Sequence, residues 1–599
     1  MNSAIMMRLR NEPVFRALVL ITVAWFYVFS YSQKLNNPNE RTRVLQARAL
    51  ASGQFHIGHT EKMGKEVIDL YGDRFAGPFV NDVALVCHDE TKSPPDCDGL
   101  IYPAKAPGTA LLGLPAIAVA QGLGLVPDGR GSEALATWIL RVFGVTIPML
   151  LCLLAWISIL RRFSLSEELI ARVLLATGLG TGVYTYSGMF VGHALAGGVL
   201  VAGIWALLKA QDEGTSKHRW AVFGGLFTGA SVLFEYHAVV AVLCVGSWVV
   251  FDRKNWRAIP GFALGGLVAL GIHSFVHIKC FGSPLQTGHF YLMTEHNRTY
   301  QSSGFLGITG FHSGSLKAHL FDPYMGFLFI MPWIIFGWLA GGWAVLKSRG
   351  DVEGRSLRWL LFAIPLVYLL FVSLLYPWDV MNGWSVGPRY LVPATLPLTL
   401  LIALGWSYAE DRWWWTGRVL SGLAAASVVM IASVTVIFPS LSDKLSNPFA
   451  DVAWPMLNEG FGAPNLGARL GLGSYALAPY FFLMGLVVFL IVRDLLPAKI
   501  EGIKRQIRLQ SAFLLAVAWL VFMVQWSATP VEVQQSAQLW VAKNSDGTAP
   551  TPDCYSLDTW CSFRCVSSKH ISASVRSRRR PAKVKALQAQ CGFECPTCD

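Results

Sequence analysis

The chain has 599 residues, enough by length for several soluble domains of about 150 residues each. Yet 53% of it is hydrophobic and only 14% charged, with 22 Trp and 35 Phe, and its mean hydropathy is +0.45. That composition excludes a disordered chain, a nucleic-acid-binding domain and an ordinary cytosolic enzyme. The net charge of +12, from 49 Lys+Arg against 37 Asp+Glu, would suggest an acidic partner on a soluble protein; on a membrane protein it is also what orientation produces.

A helix needs roughly 20 apolar residues to cross the hydrocarbon layer. The stretches 14–32, 136–160, 169–187, 189–209, 258–278, 322–346, 357–376, 389–409, 416–438, 474–492 and 509–528 are predicted spans. The apolar stretch 220–251 is too long for one span and predicts two, meeting near Glu235-Tyr236. The first apolar run is followed by polar Ser32-Gln33-Lys34-Leu35-Asn36 without a small-residue cleavage site, so it is expected to stay as an anchor. The stretch 108–126 is ambiguous by hydropathy. If it lies on the outer face, every basic connector from Arg161-Arg162 to Arg493–Arg508 falls inside.

The expected fold class is an all-α polytopic membrane protein of about 13 transmembrane helices. Its N-terminus is cytoplasmic, and a large first extracytoplasmic loop, 33–135, carries juxtamembrane helices including 108–126. The transmembrane domain runs over 1–528. The segment 529–599 is a basic, Cys-rich extracytoplasmic tail, weakly folded by composition. The large loops all fall outside, and no P-loop or dinucleotide turn is present. Nucleotide-driven chemistry is therefore not expected.

In the first outer loop, Glu40 follows span 1 closely, at the start of a helix expected from Arg41 to Ser52. A carboxylate there can serve as a general base; the simpler alternative is an N-terminal acid that pairs with Arg41 or Arg43. Lys105 stands just after Pro103 and before Ala106-Pro107, in backbone held extended. A lysine pinned at the lipid boundary suits a lipid phosphate, or simply snorkels to the interface. Cys87 and Cys97 share this loop, and an oxidising exterior favours a disulfide between them.

Taken together, Glu40, Lys105-Ala106-Pro107 and the non-spanning stretch after it resemble the membrane-embedded C-type glycosyltransferases. That superfamily includes protein O-mannosyltransferases and the bacterial transferase that places aminoarabinose on lipid A. Its marks are an acid just after span 1 and a Lys-Pro-Pro-like motif opening a juxtamembrane helix; here alanine replaces the first proline. Phe281-Gly282-Ser283-Pro284-Leu285, Asp322-Pro323-Tyr324 and Gly387-Pro388-Arg389-Tyr390 are similar to bacterial members. The resemblance implies a glycosyltransferase that takes a sugar from a polyprenyl-phosphate donor to a lipid, glycan or protein acceptor, in the bacterial inner membrane, with the tail outside. It implies no required cofactor; a divalent cation is not indicated and no metal site is expected.

On that resemblance Glu40 is the catalytic acid–base residue, and Lys105, Arg389 and His193 bind the donor phosphate. Arg43, Tyr102, Glu235, Asp379 and Tyr390 complete the candidate substrate site. This chain departs from the family in carrying one acid at Glu40 rather than a pair, and His193 where many relatives have a second acid. Glu235 inside an apolar run is by default a functional-site hypothesis. His273 and His277 are one helical turn apart, but a metal site needs further ligands. A flippase for lipid-linked glycans, or an inactive scaffold of the same fold, are the alternatives. In the tail, Cys554, Cys561, Cys565, Cys591, Cys595 and Cys598 favour disulfides, with Cys595-Pro596-Thr597-Cys598 as a conceivable zinc pair.

Overall fold

A computed structural model describes residues 12–28, 37–70, 72, 74–76, 82–89, 91–123, 132–212, 217–304, 307–347, 354–375, 386–410, 412–413, 415–439, 441, 445–493 and 503–544. Among these, seven helices are long and apolar enough to cross a membrane: Leu135–Arg162, His193–Gln211, Arg253–Phe281, Arg355–Leu374, Arg389–Glu410, Thr416–Ile437 and Gly473–Arg493. Shorter apolar helices cover Pro13–Tyr27, Gly108–Gly122, Tyr236–Phe251 and Gln510–Gln525. The chain is a polytopic helical membrane protein.

Burial sorts these helices. The apolar windows of Arg389–Glu410 and Thr416–Ile437 are 89% and 94% buried, so they form the centre of the bundle. That of Arg253–Phe281 is only 22% buried and leaves Leu264, Leu267 and Phe275 exposed at the periphery. Lys217–Phe234 packs between this outer helix and His193–Gln211.

Several expected spans are interrupted. The stretch 169–187 becomes Glu167–Leu179 and Gly182–Ser187, broken at Gly180-Thr181, and 322–346 becomes Phe327–Ile330 and Pro332–Lys347. Length alone therefore does not establish the count of about 13. Irregular backbone at membrane depth is tolerated only where protein surrounds it, and these breaks are buried. The stretch 220–251 divides where expected: Lys217–Phe234 ends, Glu235 is extended, and one 3-10 turn, Tyr236–Ala238, leads into Val239–Phe251. Gly108–Gly122 has 15 residues, about 22 Å of helix, short of a bilayer's hydrocarbon thickness.

The sequence predicts an all-α chain, but the first long loop is not all-helical. It carries an antiparallel five-stranded sheet in the order β3-β2-β1-β5-β4, with β1 Gly58–Glu61, β2 Glu66–Asp69, β3 Arg74–Ala76, β4 Val83–Cys87 and β5 Gly99–Pro103. Strands of three to five residues are too short to show a clear alternation. The sheet buries Ile57, Val67, Val83, Leu85 and Ile101 against Leu45 and Ala49 of the Pro38–Ala51 helix. A disulfide joins Cys87 to Cys97 across the β4–β5 connection.

The boundary expected at residue 529 falls inside packed structure. Val531–Asn544 is helical, and Gln538 donates to the Asp451 carbonyl at 2.7 Å. Asp451 is fully buried and accepts from Thr529 Oγ1 at 2.5 Å and from the Asn447 N–H at 2.9 Å. Residues 529–544 thus belong to the bundle because their polar groups complete that of Asp451. The six tail cysteines and the CxxC lie outside the described residues.

Cys97→Ser is expected to destabilise the first loop by about 2–3 kcal/mol, the loop-closure contribution of a short bridge. Thermal unfolding in detergent, with and without reductant, checks this; the parent should fall to the variant's midpoint on reduction.

Candidate functional site

The site forms at the sheet-bearing end of the bundle, from segments that strands and helix breaks bring together. β4 and β5 pair with Val83 opposite Pro103. The residues just outside that pair are therefore neighbours: the Ala104 N–H donates to the Asp82 carbonyl at 3.1 Å, and Lys105 Nζ lies 3.1 Å from Asp82 Oδ1. Both side chains keep some exposure, 16% and 20%.

Arg43, on the Pro38–Ala51 helix, is fully buried and uses all five donors. Its Nε donates to Asn39 Oδ1 at 2.8 Å. Nη1 donates to the Ala106 carbonyl at 2.9 Å and Thr109 Oγ1 at 3.2 Å, and Nη2 to the Phe234 carbonyl at 3.2 Å and Glu235 Oε1 at 2.7 Å. This fixes the backbone beside Lys105 to the break beside Glu235. Gly192 permits the third approach: a Cβ there would lie 2.2 Å from the Phe234 carbonyl oxygen and 2.8 Å from Glu235 Oε1. The turn before His193 thus abuts Glu235.

The result is a cluster of cations, imidazoles and two carboxylates. His193 Nδ1 is 3.2 Å from Glu235 Oε1, without hydrogen-bond angles, and His237 Nδ1 is 4.0 Å from Glu235 Oε2. Lys105, Arg389 and Arg43 lie within electrostatic reach of Glu235, His193 and His237. The Arg389 guanidinium stands 5.2 Å from the Tyr390 ring. Tyr390 also meets His237 at 5.2 Å, and Tyr186 meets His193 at 5.2 Å.

Glu40 lies one helical turn before Arg43 and has its own partners. Its carboxylate is 1% exposed and paired two-pronged with Arg141, Nε to Oε1 at 2.7 Å and Nη2 to Oε2 at 2.8 Å. Oε1 also accepts the Phe190 N–H at 2.7 Å. Neither Arg41 nor Arg43 is the pairing shown here for Glu40; the partner is Arg141, the arginine inside the expected span 136–160. A carboxylate held this way ties the Pro38–Ala51 helix to the helix of Arg141 and to the turn before His193, while Asp82 and Glu235 carry carboxylates at the cluster.

Of the other expected residues, Arg43 enters the cluster as a tie. Tyr102 packs against Phe281 and His56, at 5.9 and 6.5 Å. Asp379 lies outside the described residues. His273 and His277 stack at 4.0 Å, but His277 is engaged at both nitrogens, Nδ1 with the Gln286 carbonyl at 2.6 Å and Nε2 with the Tyr236 hydroxyl at 3.1 Å. Among the described residues no group of three or more His, Cys, Asp or Glu is arranged to hold a metal ion. Asp82, His237, His289 and Arg141 were not singled out from the sequence. Arg141 had a signal, an ionisable group in a span; the others depend on the sheet and the break.

Asp82 and His289, which lie outside the spans, have perturbed protonation. Burial opposes the charged Asp82, but Lys105 and Arg389 outweigh it and hold its carboxyl below the usual range. Burial, then the Lys105 charge, push His289 down to about 4 despite Asp82.

No family model and no curated protein matches this chain. Two solved structures of ArnT from Cupriavidus metallidurans are similar to it. The one bound to undecaprenyl phosphate shares 14% identity, over 86% of this chain and 77% of that one, with a TM-score of 0.41. The apo state shares 15%, over 85% and 77%, with a TM-score of 0.40.

Two predictions follow from the pairings. Glu40→Ala removes the carboxylate paired two-pronged with the buried Arg141 and should cost about 3–5 kcal/mol. Thermal unfolding of the purified variant measures this, and Glu40→Ala/Arg141→Met should recover part of the loss. For His289, the unfolded chain takes up a proton near pH 6.5, whereas the folded chain does so only near about 4. Between these values the unfolded state binds more protons, so stability falls as pH falls. His289→Gln should flatten the drop in thermal midpoint between pH 7 and 5.

Proposed function

We propose that this chain is a glycosyltransferase that moves a sugar from a polyprenyl-phosphate donor to a cell-envelope acceptor at the sheet-bearing end of the bundle. The observation that carries this reading is the convergence of Lys105 and Arg389 on one enclosed cluster. Lys105 lies 3.1 Å from Asp82, and Arg389 stands 5.2 Å from the Tyr390 ring, which meets His237 at 5.2 Å. Both charges are felt at Asp82, His193, His237 and Glu235. Two cations at the end of a helical bundle suit the phosphate of a lipid that keeps its chain in the bilayer. The motif resemblance carried by Lys105-Ala106-Pro107 and Gly387-Pro388-Arg389-Tyr390 points the same way.

In this reading the acceptor attacks the anomeric carbon and polyprenyl phosphate departs. Negative charge grows on the phosphate oxygen that leaves, and Lys105 and Arg389 stabilise it more in the transition state than in the bound donor. Asp82 holds Lys105 in position when the donor is absent. Arg43 and the Glu40–Arg141 pair keep the contributing segments in register, so their role is positioning. The basic loops of the sequence favour an orientation with this end outside the inner membrane, where a lipid-linked donor needs no soluble nucleotide.

The test is sugar transfer from a synthetic polyprenyl-phosphate sugar by purified protein in detergent. Lys105→Ala and Arg389→Ala should each lower kcat by about 10²–10³-fold, the usual loss for one charge-stabilising donor. Full activity in both variants would remove the clamp. Lipid movement across sealed vesicles without any transfer would instead favour a flippase.

A further inference from the structure

Glu235 and His237 are two residues apart. In a continuous helix such residues do not face each other. Here Glu235 is extended, with φ −146° and ψ 122°, and the 3-10 turn that follows brings His237 Nδ1 to 4.0 Å from Glu235 Oε2. The other ring nitrogen, Nε2, is buried and makes no hydrogen bond, and the His237 side chain is 9% exposed. The Tyr390 main chain is within reach of the ring, without completing a bond to Nε2. Tyr390, Tyr368 and His193 wall the imidazole at 5.2, 5.9 and 6.4 Å.

We propose that His237 is the general base that takes the proton of the acceptor, and that Glu235 orients it and balances its charge. This rests on the transferase reading above. The alternatives are less suited. Glu40 has both oxygens engaged by Arg141 and the Phe190 N–H. Asp82 is paired with Lys105. His193 Nδ1 faces the Glu235 oxygen that already accepts from Arg43. His237 has the second Glu235 oxygen, Oε2, 4.0 Å from one nitrogen and a buried second nitrogen that makes no hydrogen bond. The 4.0 Å separation exceeds a hydrogen bond, as is common in unliganded sites, where such contacts tighten with substrate.

The step balances. The O–H bond of an acceptor hydroxyl breaks and its proton passes to His237 Nε2. The oxygen lone pair forms the bond to the anomeric carbon. The bond from that carbon to the phosphate oxygen breaks, and its electron pair leaves with polyprenyl phosphate. The imidazolium, with Glu235 as counter-charge, returns its proton to water when the product departs.

The test uses the full chain in detergent, with binding of radiolabelled polyprenyl phosphate measured beside sugar transfer. His237→Gln should bind the lipid phosphate like the parent and lose about 10²–10⁴-fold in kcat. His237→Ala should regain activity with added imidazole. Glu235→Asp, which keeps the charge, should retain more turnover than Glu235→Gln. Unchanged kcat in His237→Gln, with the parent active, overturns the base assignment alone. A parent that neither binds the lipid phosphate nor transfers sugar overturns the transferase reading, and the base assignment with it.

Discussion

The Arg43 guanidinium joins three stretches of chain that meet at the cluster: its own helix through Asn39, the residues after Lys105 through Ala106 and Thr109, and the helix break at Phe234–Glu235. A buried guanidinium is costly unless every donor is matched. Matching all five requires two main-chain carbonyls, two polar side chains and a carboxylate in one fixed geometry. Lys105, Glu235 and His237 inherit their positions from that requirement. The planar fork of arginine suits it; a lysine at the same place has three donors on a flexible stem and could not span the same partners.

The Glu40–Arg141 pair has the same character. It fastens the same helix to the helix of Arg141 and, through the Phe190 N–H, to the turn before His193. Two buried ion pairs on one short helix are poor evidence for stability as such. Their effect is alignment: they prevent the Pro38–Ala51 helix from sliding relative to the bundle, and so keep the sheet above it in register with the broken helices.

The breaks supply what unbroken helices could not. A spanning helix satisfies its own backbone and offers only side chains. Where the chain leaves the helix at 188–192 and at 235, free carbonyls and N–H groups meet Arg43 and Glu40, and neighbouring side chains turn toward one another. Gly192 is small because the Phe234 carbonyl and the Glu235 carboxylate occupy the space of a side chain.

Hydropathy determined the helical membrane class and the division of 220–251 near Glu235, and the charge of the loops argued that 108–126 does not span. These follow from local composition and the fixed thickness of hydrocarbon. The Cys87–Cys97 bridge was also legible, since both cysteines share one loop. The sheet was not, because its strands are short and their pairing is not local. The partners of Glu40 and Arg43 were beyond reach for a related reason: they lie 101 and 192 residues away. Periodicity reports which face of a helix is apolar, but it says nothing about which distant charge meets a buried one. Only the tertiary structure decided that Glu40 pairs with Arg141 and Arg43 with Glu235, because a buried charge takes the partner that packing brings within hydrogen-bond reach.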